Sequence, residues 1–276
     1  MRILIFSVLA LVVVAANANE CKYSAERKLT IDPTQLQSLA FTMGSSDLHV
    51  HGVADLAQIE VTGKACASEQ DRLAGLTVTQ ARKDDVVTLT PNQAGEQSFS
   101  IFGSNYAYID LDVRVPTTLA IRVQTHSGDT TIDDVASLDF DSHSGDLVVH
   151  RIRGGVVVSV HSGDVTARDI GALQVRRAGS GDVQASAIHG AVIVGHVGSG
   201  DMAFDDVAQS VLVQSIGSGN VNVNRVGGNV TIDAIGSGDV EIADVSGDFV
   251  VKSAGSGDIS HHGVKGKIDV PKRDDD

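Results

Sequence analysis

Tryptophan is absent from this 276-residue chain, and only seven Phe and three Tyr supply aromatic rings. So few rings argue against one thick globular core. They favour many short, closely stacked strands built from Val, Ile and Ala. The scarcity also counts against a sugar-cleaving cleft of the kind that stacks its substrate on aromatic side chains. Positive charge is short as well, 21 Lys and Arg against 35 Asp and Glu, for a net charge of -14. A surface that neutralises phosphates has to be basic, so nucleic acid is disfavoured as a partner. Cysteine occurs twice, as Cys21 and Cys66, and neither has a His arrangement nearby that would make it a nucleophile.

What is present begins with an export signal. Residues 1–18, MRILIFSVLALVVVAANA, place one positive charge before an apolar run and end it on Ala16-Asn17-Ala18. Those are the three parts of a secretory signal peptide, with cleavage expected after Ala18. The apolar run is short for a bilayer span, so no transmembrane segment is expected after its removal. Asn19 and Glu20 precede Cys21, where a lipidation signal wants small uncharged residues. Export to an oxidising compartment, periplasm or cell surface, lets Cys21 and Cys66 pair. In the chain-entropy account such a bond closes a loop of about 45 residues and is worth roughly 4 kcal/mol. Two free thiols are the alternative.

Beyond residue 111 the chain repeats itself. Ser-Gly-Asp occurs at Ser127-Gly128-Asp129, Ser144-Gly145-Asp146, Ser162-Gly163-Asp164, Ser180-Gly181-Asp182 and Ser199-Gly200-Asp201. It continues as Ser218-Gly219-Asn220, Ser237-Gly238-Asp239 and Ser256-Gly257-Asp258, in steps of 17 to 19 residues. A fixed period of this size is the signature of a solenoid. Each period carries two strand-like halves with apolar residues at every second position, such as Val221 and Val223, then Val230 and Ile232. Alternation of period two turns these side chains inward and leaves Gln184, Asn222, Thr231 and Glu241 facing water. One such strand pair cannot bury its own apolar face, so each coil must be covered by the next.

The reading is therefore an all-β protein, a parallel β-solenoid (β-helix) with about 17–19 residues per coil. Glycine at the corners is expected to allow tight turns, including positive φ. An antiparallel sandwich of hairpins is the competing arrangement. The expected divisions are the signal peptide (1–18), an N-terminal β-rich cap with a degenerate coil (19–110), the repetitive solenoid (111–270) and a charged tail (271–276). In the cap, GSSDLHVHGV around Ser46-Asp47 reads as the degenerate coil, CASEQDRLAGL as a short helical excursion and 91–105 as a loop. A cap of this kind covers the sheet edge that an open solenoid would expose.

Stacking turns repeated polar residues into columns. Asp129, Asp146, Asp164, Asp182, Asp201, Asp239 and Asp258 should line one edge, with Asn220 interrupting them. Carboxylates about 4.8 Å apart repel by roughly 1 kcal/mol in water, which something must offset. The simplest answer is that each Asp bonds its own turn backbone. Calcium is the other, and here the chain lacks the Gly-Gly-x-Gly-x-Asp repeat of calcium-binding nonapeptide solenoids. A second column, His126, His143 and His161, precedes three successive Ser-Gly-Asp corners and offers ligands for zinc or a similar metal. Beyond calcium or such a metal no cofactor is implied. Arg176 and Arg177 form a local basic pair that reads as surface charge. No enzyme is indicated, because a nucleophilic site needs one particular Ser with an oriented base rather than eight equivalent serines.

The segments YIDLDVRVP and LAIRVQTHSGD, with the recurring SGDV and the early GSSDLHVHGVADLAQIEVTG, resemble a bacterial extracytoplasmic family known as putative adhesins. The resemblance covers about residues 36–265. It implies an exported β-solenoid scaffold and brings no catalytic residues with it. The function it implies is a non-enzymatic, adhesin-like binding module of the cell envelope or surface, whose partner is an envelope glycan, lipid or protein. The alternative is a periplasmic structural or envelope-stress scaffold that acts through protein contacts, including self-association.

Overall fold

Alternating Val-x-Val segments of four to six residues, punctuated by glycine, form strands that pair with their counterparts in the neighbouring coil. A computed structural model describes residues 21–92 and 106–271. The expected signal peptide, most of the 91–105 loop and the tail after Pro271 lie outside the described residues. The first seven strands are β1 (Tyr23–Ile31), β2 (Ser38–Thr42), β3 (Leu48–Val53), β4 (Ile59–Ala67), β5 (Thr77–Lys83), β6 (Val86–Asn92) and β7 (Ala107–Pro116). A 3-10 helix, Gln70–Gly75, stands where the helical excursion was expected.

The repeats follow as β8 (Ala120–Thr125), β9 (Thr130–Asp133), β10 (Ser137–Ser142) and two long strands, β11 (Leu147–Val160) and β12 (Val165–Ala178). After these come β13 (Val183–Ile188), β14 (Val192–Val197), β15 (Met202–Val207), β16 (Val211–Ile216), β17 (Val221–Val226) and β18 (Val230–Ile235). The last four are β19 (Val240–Val245), β20 (Phe249–Val251), β21 (Ile259–His262) and β22 (Ile268–Asp269).

All pairings among β8–β22 are parallel, so the repeats form a solenoid and not a sandwich of hairpins. Two walls result. One stacks β3, β9, the first halves of β11 and β12, then β13, β15, β17, β19 and β21. The other stacks β2, β8, β10, the second halves of β11 and β12, then β14, β16, β18, β20 and β22. Val221, Val223, Val230 and Ile232 are buried between the walls, as their alternation requires.

Each half-coil also buries a third apolar residue, such as Val226 or Ile235, after two consecutive outward positions. In the first wall a single left-handed residue makes this possible. Asp134, Arg151, Asp169, Ala187, Asp206, Arg225 and Asp244 all have φ between 53° and 59°. Each advances the chain one residue without reversing the next side chain outward.

The corner glycines are there for a different reason from the one expected. Among the described glycines only Gly263 has positive φ, and it stands in the left-handed column of Asp244 rather than at a Ser-Gly-Asp corner. The Ser-Gly-Asp glycines instead sit almost against the coil below: a Cβ on Gly200 would lie 2.0 Å from the Gly181 carbonyl oxygen. Gly181 stands in the same relation to Gly163, at 1.9 Å. Close approach of coils, not turn conformation, demands glycine in this column.

The N-terminal region is irregular in sequence order as well as pattern. The degenerate coil β2–β3 lies between β6–β7 on one side and β8–β9 on the other, all in parallel. The repeats thus rest on residues 38–53 rather than on the strand that precedes them in the chain. Beyond β7 the direction reverses: β4 pairs with β7 and β1 with β4, both antiparallel, and β5 with β6 likewise. Arg27 fastens this end by donating from Nε to the Leu76 carbonyl (2.7 Å) and from Nη2 to that of Leu73 (2.6 Å). Cys21 and Cys66 are joined by a disulfide, Cα to Cα 5.4 Å, which ties the start of the described chain to β4. Among the described residues no helix is long and apolar enough to cross a membrane.

Candidate functional site

The Ser-Gly-Asp column is a hydrogen-bond ladder that runs between coils. The backbone N–H of Asp146 donates to Asp129 Oδ1 (3.1 Å), that of Asp164 to Asp146 (2.9 Å) and that of Asp182 to Asp164 (2.9 Å). The pattern continues through Asp201, Asn220, Asp239 and Asp258. It also runs back through Asp129 and Asp47 to Asp110. The expected bond from each Asp to its own turn is therefore corrected. The carboxylate serves the next coil's N–H, and that donor offsets part of the repulsion between neighbours. Asp110, at the covered end of the ladder, has its pKa raised, chiefly by burial.

His126, His143 and His161 stack face to face, with ring centroids 5.1 and 4.9 Å apart and planes within 8° of parallel. All three are exposed. Among the described residues, neither this column nor the Asp column gathers three His, Cys, Asp or Glu side chains around a point that would hold a metal ion. Arg176 is a paired surface charge, with Nη1 donating to Asp139 Oδ1 at 3.0 Å. The sequence-predicted positions are thus brought into columns but build no enclosed site.

The recessed surface of the solenoid lies on the outer side of the first wall. Two open clefts, about 560 and 440 Å³, run together there and share Gln184, Ala203 and Asn222. Strand register explains the recess. Gln184, Ala203 and Asn222 are neighbours on β13, β15 and β17, and the small Ala203 side chain leaves a step between two amides. Asn222 Nδ2 donates to Glu241 Oε2 (3.3 Å), and Asn224 Nδ2 donates to Asp205 Oδ1 (2.9 Å). The cleft thus presents amide donors and carboxylate acceptors on rigid strands, the groups that hydrogen-bond hydroxyls and amides of a ligand.

A third cleft, about 410 Å³, opens around the left-handed residues of the early coils. Arg151 grips Asp134 with two hydrogen bonds, Nε to Oδ1 (2.8 Å) and Nη2 to Oδ2 (2.7 Å). The guanidinium holds the Asp134 carboxyl below its usual range, and the same bonds push the Arg151 pKa up. His189 Nε2 lies 2.7 Å from Asp169 Oδ1. Arg153 lines the same cleft and donates to the Thr117 carbonyl. A like pair recurs further along, where Arg225 lowers the Asp206 pKa by hydrogen bonding.

These left-handed corner residues are the functional candidates that the two-residue alternation conceals. The Val-x-Val-x-x-Val spacing marks their positions but does not single them out, because the second wall shares it in Val230-x-Ile232-x-x-Ile235 and Ala234 there is not left-handed.

No protein-family model matches the chain, and no curated protein shows significant similarity to it. Solved bacterial structures do follow it over nearly its whole length. A putative adhesin from Bacteroides fragilis is 13% identical over 91% of this chain and 98% of its own, with a TM-score of 0.45. A putative lipid binding protein from Parabacteroides distasonis is 14% identical over the same shares, also at 0.45. A putative cell adhesion protein from Clostridium sporogenes is 13% identical over 90% of this chain and all of its own, at 0.38. The likeness is one of chain path, and the solenoid assignment stands on the strand registers of this chain itself.

Proposed function

We propose that this chain is a non-catalytic, exported binding module of the cell envelope, and that the outer side of its first wall engages glycan. The supporting observation is the continuous cleft over Gln184, Ala203 and Asn222, in which amides and carboxylates stand at fixed spacing on hydrogen-bonded strands. Sugar hydroxyls both donate and accept, so a surface of mixed Asn, Gln, Asp and Glu suits them without aromatic platforms. The near equivalence of successive coils supports a binding role over catalysis, which needs a unique acid–base or nucleophile pair. Export is supported by the N-terminal segment and by the Cys21–Cys66 bond, which belongs to an oxidising compartment.

The second reading is a scaffold that acts through self-association. The last coil favours it: among the described residues β21 and β22 each pair on one side only, and Ile268 is 44% exposed.

Sedimentation of the purified protein with isolated peptidoglycan, outer-membrane vesicles and intact cells, with calcium or with EDTA, tests both readings. Saturable binding to the glycan fraction that weakens in Asn222→Ala is the expected result. No binding to any fraction, together with concentration-dependent assembly of the protein alone, would replace the first reading with the second.

A further inference from the structure

The charges of the solenoid are unevenly distributed. Residues 143–196 hold five Arg, five His and four Asp, whereas residues 197–258 hold nine Asp and Glu against Arg225 and Lys252. Residues 106–142, before that stretch, hold seven Asp against Arg114 and Arg122, so the basic stretch is confined to 143–196 and the 410 Å³ cleft opens at its border. That volume falls in the range of small-ligand sites, of order 300–1,000 Å³.

Charge pairing inside the cleft is incomplete. Arg151 is neutralised by Asp134, and the His189 imidazole is hydrogen-bonded to Asp169. Arg153 meets no carboxylate among the described residues; its hydrogen bond goes to the neutral Thr117 carbonyl. One guanidinium is thus available for a planar anion, which it can hold by two parallel hydrogen bonds. Asp134 and Asp169 line the same space and repel a dianion such as phosphate more strongly than a singly charged group, so the guanidinium that no carboxylate pairs suits a carboxylate. Position supports a sugar as its carrier. His150 and Arg168, the residues just before Arg151 and Asp169, line the amide cleft on the far side of the same ridge.

We infer that the cleft bordered by Arg153 and His189 is a subsite for the carboxylate of an acidic saccharide, and that it makes the module selective for uronic-acid glycan. This rests on the glycan reading above.

The test compares binding of polygalacturonate and its fully methyl-esterified, neutral form to the purified chain by calorimetry at low salt. The acid form should bind at least tenfold tighter, and Arg153→Gln should abolish that preference while leaving affinity for the ester unchanged. Retention of the preference in a folded Arg153→Gln variant would overturn the assignment to this cleft. Equal affinity of the native protein for both forms would overturn the inference and leave the glycan reading standing, whether or not the variant folds. Binding of neither form would overturn the inference, while the glycan reading stands or falls by the peptidoglycan sedimentation.

Discussion

Asn220 stands in a column otherwise made of Asp, and it shows what the column is for. Its Oδ1 accepts the Asp239 N–H at 2.9 Å, just as Asp201 Oδ1 accepts that of Asn220 at 2.7 Å. The ladder needs a short side chain with an acceptor oxygen and does not need the charge. Asp201→Asn should therefore leave the unfolding midpoint almost unchanged. Asp201→Ala should cost about 1 kcal/mol, the worth of a typical hydrogen bond. Urea denaturation of the two variants separates the explanations, and an equal loss in both would mean that charge matters after all. The repetition of Asp is plain from the letters alone. The partner of its carboxylate is not, because a turn-local bond and an inter-coil bond require the same residue at the same place.

Individual strands and corners are limited by how closely coils approach. In the Ser-Gly-Asp corner a methyl group has no room, since a Cβ on Gly200 meets the Gly181 carbonyl oxygen at 2.0 Å and its carbon at 2.7 Å. Gly155, by contrast, would place a Cβ with nothing within 4 Å. Gly200→Ala should accordingly destabilise by about 2–3 kcal/mol through overpacking, and Gly155→Ala should be neutral or slightly stabilising. Thermal melts of the two variants check this directly; similar midpoints would show that the coils can spread at little cost. The left-handed residue of each first-wall strand is the other device at this scale. Period-two alternation accounts for Val221 and Val223 but predicts that the next inward residue is Arg225. The φ of 55° at Arg225 moves that role to Val226 and leaves Arg225 outside, where it pairs with Asp206.

Across the whole molecule, acid should loosen the fold. Asp134 and Asp206 have pKa values lowered by Arg151 and Arg225. Each contributes stability that is present above the unfolded carboxylate range, about pH 4, and is lost as pH falls through the lower folded value. Asp110 runs the other way. Its raised pKa favours the folded state in acid, and that contribution is lost as pH rises through the folded value. Asp32, held below its usual range by hydrogen bonds from Thr34, makes three depressed carboxylates against one raised, so the melting midpoint should fall below about pH 4. The fall should be shallower in an Arg151→Ala, Arg225→Ala double variant. A midpoint that stays flat from pH 7 to pH 3 in the native protein would contradict this balance.

What the sequence by itself determined is the solenoid and the faces of its strands. A 17–19-residue period of alternating Val and Ile with glycine corners favours burying its apolar residues by stacking in parallel on copies of itself, and the strand registers removed the competing sandwich. It also carried Asp47 into view as a degenerate member of the repeat. Tertiary structure alone decided how the N-terminal strands close the end. The coil of residues 38–53 slips between β6–β7 and β8–β9, and β4 and β1 reverse direction, through pairings too distant in the chain for any local pattern to register. The charged corner of Asp134, Arg151, Arg153, Asp169 and His189 was decided in the same way. Asp134, Arg151 and Asp169 recur at the repeat period and so share a column in the sequence, but their left-handed φ and the approach of Arg153 and His189 to the same cleft emerge only once the coils are stacked.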